Sequence, residues 1–542
     1  MQTPKQVRLI VRWLRGQRDH GDTLLWVWGL IVGIAAAYAT ILFRLAIQSV
    51  QFLAYGEFSE ALAGPASELS NFHLFLAPVL AGGAVAALLW FGQRQGLLKE
   101  ARQLGVPDVI EARAVKAGRV DFRSAVYSAL TTAVALGGGG SAGREGPAVH
   151  LGAALASMWS KSLDLPAREG RTLAACGAAA AVAASFNAPI AGAVFAFEVV
   201  LGHYALRTVA PVAAASVAGA LIVRAHLGAQ PAFLLPEIHP ASYFDFPAAA
   251  VLGLICALVA IGFMRVTLWG IERVPKLARE HDVPLWALPP FAGAVVGVIA
   301  WTRPEILGVG YEPTARALAG DYVFSTLVLL LVLKSLATAV CIACRFGGGI
   351  FSPAIYVGAM TGAAFGAVAA LAFGGATAGE SFFAIVGMGA VAGAVLGAPL
   401  STTLIVFELT YNYDTAIAIL VAVSVATIMT QKIMGASFFQ LMIESRGYEL
   451  REGPQRVILM TVRVRDFMTP IDRLKKESVL EGPSLYEDDT LGKALGFLDA
   501  EGVDGAPVKS RASGEVTGYI SRADALVAYN KRLVDAHVER TR

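Results

Sequence analysis

Charge is what this 542-residue sequence lacks: Asp, Glu, Lys and Arg together make up only 16% of it, where soluble domains carry about a quarter. With 56% hydrophobic residues and 56 glycines, that shortage excludes an ordinary water-soluble domain and fits a membrane protein. The formal net charge is +3, too small a basic excess to suggest a nucleic-acid partner. Cysteine is scarce as well. Cys176, Cys256, Cys341 and Cys344 lie in apolar surroundings. The Cys341-x-x-Cys344 pair has no second pair or His cluster beside it, so inert buried thiols and no metal site are expected. The apolar segments hold no Ser/His or paired-Asp set, and His150 and His203 stand alone, so no enzyme is expected. The first 23 residues lack a long apolar core followed by a small-residue cleavage site and do not read as a secretory signal. Their Lys5, Arg8, Arg12, Arg15 and Arg18 place them in the cytoplasm by the positive-inside rule, as a surface helix or a solvated tail.

Long apolar runs are what the sequence does have. The first, "LLWVWGLIVGIAAAYATILF" (24–43), is long enough for about 30 Å of hydrocarbon. Others fall near 74–92, 125–140, 146–160, 174–200, 207–223, 246–269, 285–301, 324–344, 353–373, 382–396 and 399–430. Several are short or interrupted by Gly and Pro, which suggests helices that stop part-way through the bilayer around a transport site. Two pairs of segments match. "LTTAV" (130–134) corresponds to "LATAV" (336–340), each with its last Thr eleven residues ahead of a Gly-x-x-x-Pro: Gly143–Pro147 and Gly349–Pro353. "APIAGAVFAFE" (188–198) corresponds to "APLSTTLIVFE" (398–408). Lags of 206 and 210 residues in the same order imply duplication. They leave open whether the second half is inverted.

Both Gly-x-x-x-Pro loops have the composition of a helix start that binds an anion. Unpaired N–H groups and the positive end of the helix dipole supply the attraction. Gly admits close approach, and Pro suits the first turn. The first loop, "GREGP", also carries Glu145, a carboxylate at a depth where charge is costly and usually functional. It reads as a tethered anion that competes with the permeant ion at the helix start. Its sequence neighbour Arg144 is a poor salt-bridge partner, because adjacent helical residues do not face each other.

The segments "GREGP", "FNAPIAGAVFAFE" (186–198), "GGGIFSP" (347–353) and "GAPLSTTLIVFELT" (397–410) resemble the signature segments of the CLC chloride channels and proton–chloride exchangers. The resemblance covers about 24–445. It implies an all-α polytopic membrane protein with an inverted-repeat fold, a homodimer with one pathway per subunit, chloride or another small anion as the permeant ion, and Glu145 as the gating glutamate. It also implies an anion site built from Gly143, Arg144, Glu145, Gly146, Gly349, Ile350 and Phe351. The amides of Ile350 and Phe351 would line its central position and those of Glu145–Gly146 its outer one. Three positions depart from the family pattern. Leu104 in "QLGVP" stands where a Ser hydroxyl usually touches the central ion, and Phe439 stands where a Tyr usually donates a second hydrogen bond. Val199, after Glu198, stands where well-studied exchangers carry an inward-facing glutamate, so a proton-relay position is lost. That loss favours channel-like conduction over proton-coupled chloride or fluoride exchange. A secondary transporter of an organic solute is the alternative from another class, and the few side-chain donors in the loops count against it. Glu198 and its repeat counterpart Glu408 read as structural caps.

From about residue 450 charges return every few residues. From 462 onward the pattern reads strand, helix (490–502), strand "APVKS", turn, strand "VTGYIS" and helix "RADALVAYNKRL". "VRDFMTP" and "GYISRADAL" resemble the ends of a CBS domain. Such domains often hold adenine nucleotide, with Ser521 and Asp524 at the positions that usually contact ribose and phosphate; a dimerisation or stability module is the alternative reading of the single copy, and no other cofactor is expected. The expected organisation is a basic segment (1–23), a membrane domain (24–445, halves 24–223 and 246–445), a linker (446–461) and a cytoplasmic α/β module (462–535). The expected location is a bacterial inner membrane with both termini cytoplasmic.

Overall fold

A computed structural model describes residues 21–59, 61–228, 243–373, 378–410, 413–448, 453–473 and 482–541. All but the last three residues of the basic N-terminal segment lie outside them. The chain divides into two compact units, Met1–Phe439 and Gln440–Arg542. Eight of the described helices are long and apolar enough to cross a membrane, the longest being Asp245–Glu280.

The helices that build the site are α1 (Gly21–Tyr55), α2 (Val106–Val115), α3 (Phe122–Gly137), α4 (Glu145–Ser162), α5 (Ala167–Phe186), α6 (Pro189–Phe195), α7 (Tyr311–Ala319), α8 (Phe324–Ala343), α9 (Phe351–Phe373), α10 (Gly379–Leu396) and α11 (Pro399–Thr410). The duplication is visible in their order: α3 to α6 are matched by α8 to α11. Two of the apolar runs read as continuous are in fact broken. Run 174–200 splits where α5 ends at Asn187, in the left-handed conformation, and α6 starts at Pro189. A six-residue π-helical turn, Ala196–Leu201, follows. Run 399–430 divides into α11 and the helix Tyr413–Met434. Hydropathy changes little across the first break, which only Asn187-Ala-Pro marks, as its counterpart Gly397-Ala-Pro marks the passage from α10 to α11; the second break falls in the polar run Thr410-Tyr-Asn-Tyr-Asp414. Gly397 closes α10 in the same left-handed geometry.

Glycine sets the packing distance in both halves. A Cβ on Gly152 would lie 2.3 Å from the Gly177 carbonyl oxygen, and one on Gly177 would lie 2.2 Å from that of Gly152. Gly358 and Gly387 make the same reciprocal approach, at 2.4 and 2.5 Å. The second pair stands 206 and 210 residues after the first, the lags read from the motifs. Helices α4 and α5, and α9 and α10, therefore cross backbone to backbone, as small residues allow in membranes.

Two carboxylates lock the halves together. Glu198 accepts hydrogen bonds from the amides of Leu400 (3.1 Å) and Ser401 (2.8 Å) and from the Ser401 hydroxyl. Glu408 accepts from the amides of Ile190 (3.0 Å) and Ala191 (2.7 Å). Each half thus caps the helix start of the other, a reciprocal contact of the kind a two-fold axis generates. Both glutamates are structural caps.

The C-terminal unit contains a four-stranded sheet in the order β1-β4-β3-β2 (Thr469–Pro470, Val516–Ser521, Gly505–Lys509, Leu485–Tyr486). β2 and β3 run parallel; the other neighbours are antiparallel. Val464, Leu485, Leu498, Val508 and Ile520 form its core with helix α12 (Leu491–Ala500). The strand expected from 462 is shorter than the sequence suggested: Val464–Asp466 forms a 3-10 turn and β1 has two residues. Ser521 and Asp524 form a reciprocal cap at the start of α13 (Arg522–Thr541). The Ser521 hydroxyl donates to the Asp524 carboxylate (2.7 Å) and accepts from the Asp524 amide (3.0 Å).

Candidate anion site

Three loops meet where the broken helices begin. Gly143 and Gly349 form an isolated antiparallel bridge, each amide donating to the other's carbonyl at 2.7 Å. The amides of these two glycines are therefore satisfied by each other, and their part is to hold the two helix starts side by side. Gly105, just before α2, completes the meeting: a Cβ on Gly146 would lie 3.7 Å from the Gly349 Cα and 3.9 Å from the Gly105 Cα. Gln103 ties its loop to the second-half loop through the carbonyls of Arg345 (3.0 Å) and Phe346 (3.4 Å).

With the glycines paired, the amides left at the two helix starts are those that follow them. Among the described residues no acceptor faces the N–H of Glu145 or Gly146 at α4, or of Ile350 or Phe351 at α9. All four residues are buried, Glu145 at 2% exposure. Buried N–H groups without partners are rare in folded proteins, and here they cluster at the positive ends of two helices.

The Glu145 carboxylate lies inside the protein. One oxygen, Oε1, accepts from the Ser352 hydroxyl at 2.5 Å and from the Tyr311 hydroxyl at 3.2 Å. The other, Oε2, is buried with no hydrogen-bond partner. Arg144 turns away from its neighbour. Its Nη2 donates to the Ser185 carbonyl (3.3 Å), and its guanidinium sits over the Tyr311 ring, 5.1 Å from the centroid. The ring of Tyr311 thus contacts the cation while its hydroxyl contacts the carboxylate.

The remaining predicted positions line the same unit without adding donors. The Leu104 side chain has no polar atom, and its amide is taken by the Ser128 hydroxyl (2.7 Å). Phe351 packs against Phe186 and Phe195, with centroids 5.1 and 6.1 Å apart. Phe439 is buried against Phe438. Val199 lies half-buried in the π-helical turn after α6. The four cysteines are buried and unbridged.

Residues 82–431 match the family model described as voltage gated chloride channel. The chain belongs to this family. It is a CLC-type anion transport protein, integral to a membrane. It is 32% identical over 399 residues to a putative chloride channel protein, ClcB-like, of Ralstonia nicotianae, covering 72% of this chain and 90% of that relative. It is 29% identical over 420 residues to the chloride channel protein CLC-f of Arabidopsis thaliana, covering 73% of this chain and 52% of that one. Among solved structures, a slow cyanobacterial Cl−/H+ antiporter superposes with a TM-score of 0.69 at 22% identity, covering 78% of this chain and 97% of that one. A CLC-type fluoride/proton antiporter gives 0.63 at 21% identity, covering 77% and 97%. At such identity the likeness concerns the fold.

Tyr311, Ser352 and Lys334 are site residues that the motifs did not single out. Ser352 lies inside "GIFSP", at the position matched to Gly146. Lys334 is the lone cation in α8, fully buried, and donates to the carbonyls of Ile306 (3.0 Å) and Gly308 (2.8 Å). Its signal was its solitude in an apolar helix.

Proposed function

We propose that the chain conducts chloride passively along a pathway between the starts of α4 and α9, with Glu145 as the gate. The observation that carries this reading is the cluster of unpartnered amides at Glu145, Gly146, Ile350 and Phe351, next to a buried carboxylate. Amide dipoles hold a monovalent anion and let it leave. In the blocked state the Glu145 carboxylate is the anion in place; withdrawn or protonated, it yields the position. Leu104 and Phe439 offer no hydroxyl, so the central ion rests on backbone donors. Val199 leaves no inward carboxyl to relay protons, which favours conduction over exchange.

The test is the reversal potential in proteoliposomes holding the full chain. Passive conduction predicts a potential set by the chloride gradient and unmoved by a pH gradient at fixed chloride. A shift with the pH gradient would establish proton coupling and overturn the channel mode. Glu145→Gln is expected to raise chloride flux at neutral pH. Comparing fluoride with chloride efflux checks the choice of anion.

The chain is further inferred to work as a homodimer in a bacterial inner membrane, with cytoplasmic termini. Ile190 and Leu400, matched residues at the two capped helix starts, are apolar and exposed; they suit lipid or a second copy, and the CLC resemblance favours the copy. The C-terminal module is read as CBS-like. Adenine nucleotide is its expected ligand at Ser521 and Asp524, whose mutual hydrogen bonds fix both groups at a helix start. Calorimetric titration of the full chain with ATP tests this, and Ser521→Ala with Asp524→Ala is expected to abolish any heat of binding.

A further inference from the structure

Two hydroxyls on separate elements converge on one oxygen of Glu145, and neither is required by the amide site itself. Ser352 is the second residue of α9, and Tyr311 is the first residue of α7. Ser352 is buried and Tyr311 half-buried against the carboxylate, which has no other hydrogen-bond partner among the described residues. Hydrogen bonds to an ionised acceptor are among the strong ones. Here they act at a position shielded from water.

The placement of Tyr311 is itself enforced. Gly310 precedes it in the left-handed region, with φ of 92°, which lets the chain turn into α7. The approach to that turn is pinned at two points. Lys334 Nζ, buried in α8, holds the carbonyls of Ile306 and Gly308, and the Gly308 amide donates to the Gly139 carbonyl at 3.2 Å. The Arg144 guanidinium lies on the Tyr311 ring and limits its swing. Ser352 needs no such scaffold, since the Gly143–Gly349 bridge already sets α9 against α4.

We propose that Tyr311 and Ser352 are positioning residues that latch the Glu145 side chain in its blocking position, with Lys334 bracing the Tyr311 arm. This rests on Glu145 being the gate. Chloride must displace a carboxylate held by two hydroxyls, so the apparent affinity for chloride is lowered by the fraction of time the gate is latched. Releasing the latch therefore strengthens apparent chloride binding and leaves the maximal flux of an open pathway intact.

The experiment is chloride efflux from proteoliposomes of the full chain at one fixed pH, measured over a range of chloride concentrations. Tyr311→Phe and Ser352→Ala are each expected to lower the half-saturating chloride concentration, and the double variant to lower it by about tenfold. Ser352→Thr, which keeps the hydroxyl, is expected to stay near the parent. In a Glu145→Ala background, where nothing remains to be latched, both substitutions are expected to be silent. If Glu145→Ala leaves half-saturation unchanged, the gate reading fails and the latch with it. If Glu145→Ala lowers it while the hydroxyl variants do not, or raise it, the latch alone is wrong. Equal effects of the hydroxyl variants in both backgrounds would mark them as structural and overturn the latch. Either single variant decides the matter if the other does not fold.

Discussion

The starts of α4 and α9 are copies of one another, and they have diverged in what they carry. Aligned at their common lag, Gly143-Arg-Glu-Gly-Pro147 faces Gly349-Ile-Phe-Ser-Pro353. Both keep the bridging glycine and the first-turn proline. The first copy has the charge, Glu145, where the second has Phe351; the second has the hydroxyl, Ser352, where the first has Gly146. That hydroxyl donates to that carboxylate. Duplication supplied two equal helix-start frames, and divergence placed the carboxylate on one and a hydroxyl that holds it on the other; in the proposed reading these are the gate and part of its latch. Contacts shared by both halves therefore belong to the frame, while contacts present once belong to the chemistry. Matched substitutions separate the two.

The largest expected effect is on the frame. Gly177→Leu in the first half and Gly387→Leu in the second each force a side chain into a facing backbone 2.2–2.5 Å from where its Cβ would sit. Overpacking of this kind costs about 1–3 kcal/mol or more, and with backbone on the other side both variants are expected to lose monodisperse protein on size exclusion. Tolerance in one half only would break the equivalence. Next come the reciprocal caps. Glu198→Ala and Glu408→Ala each leave two amides without their acceptor, of which the one on the buried residue (Ser401 or Ala191) costs about 1–3 kcal/mol. Both are expected to lower the melting midpoint in detergent by similar amounts, with the Glu198 variant slightly worse because the Ser401 hydroxyl also loses its acceptor.

A smaller effect tests the unit outside the duplication. The Asp489 carboxyl is held below its ordinary pKa: burial acts to raise it, but the Lys493 ammonium (2.8 Å), the Tyr486 amide (2.9 Å) and Arg511 (3.4 Å) outweigh that. Its contribution is present above the unfolded value of about 3.9 and is lost as pH falls through the lower folded value. Acidification below pH 4 is therefore expected to lower the protection factors of the amides across 485–500 in the parent. Asp489→Asn should show lower protection factors already at neutral pH, changing little on acidification.

Much of this was legible in the residues. Short runs with fixed lags expose a duplication because each copy keeps its own Gly and Pro, and "GREGP" advertises itself because charge is rare around it. The break at Asn187 was hidden, since apolar composition continues on both sides of it; the one after Thr410 was marked by the polar run Thr410-Tyr-Asn-Tyr-Asp414, which a reading by apolar runs passes over. The paired amides of Gly143 and Gly349 were equally invisible: a glycine that approaches an ion and one that approaches another backbone look the same in sequence. Tyr311 reaches the site only through a tertiary contact across 166 residues, and Lys334 only through the Ile306 and Gly308 carbonyls 28 and 26 residues away. What motif reading found was the carboxylate; what it could not find was the hand that holds it.

The reciprocal caps bear on the route itself. Four of the matched helices, α4, α9, α6 and α11, carry proline in the first turn, at Pro147, Pro353, Pro189 and Pro399, and each start attracts negative charge. At the last two the attraction is permanently answered, by Glu408 and Glu198 from the opposite copy. On the proposed pathway, the contacts that fasten the halves together also occupy two competing helix ends with a carboxylate, so that the starts of α4 and α9 are the ones left for the ion.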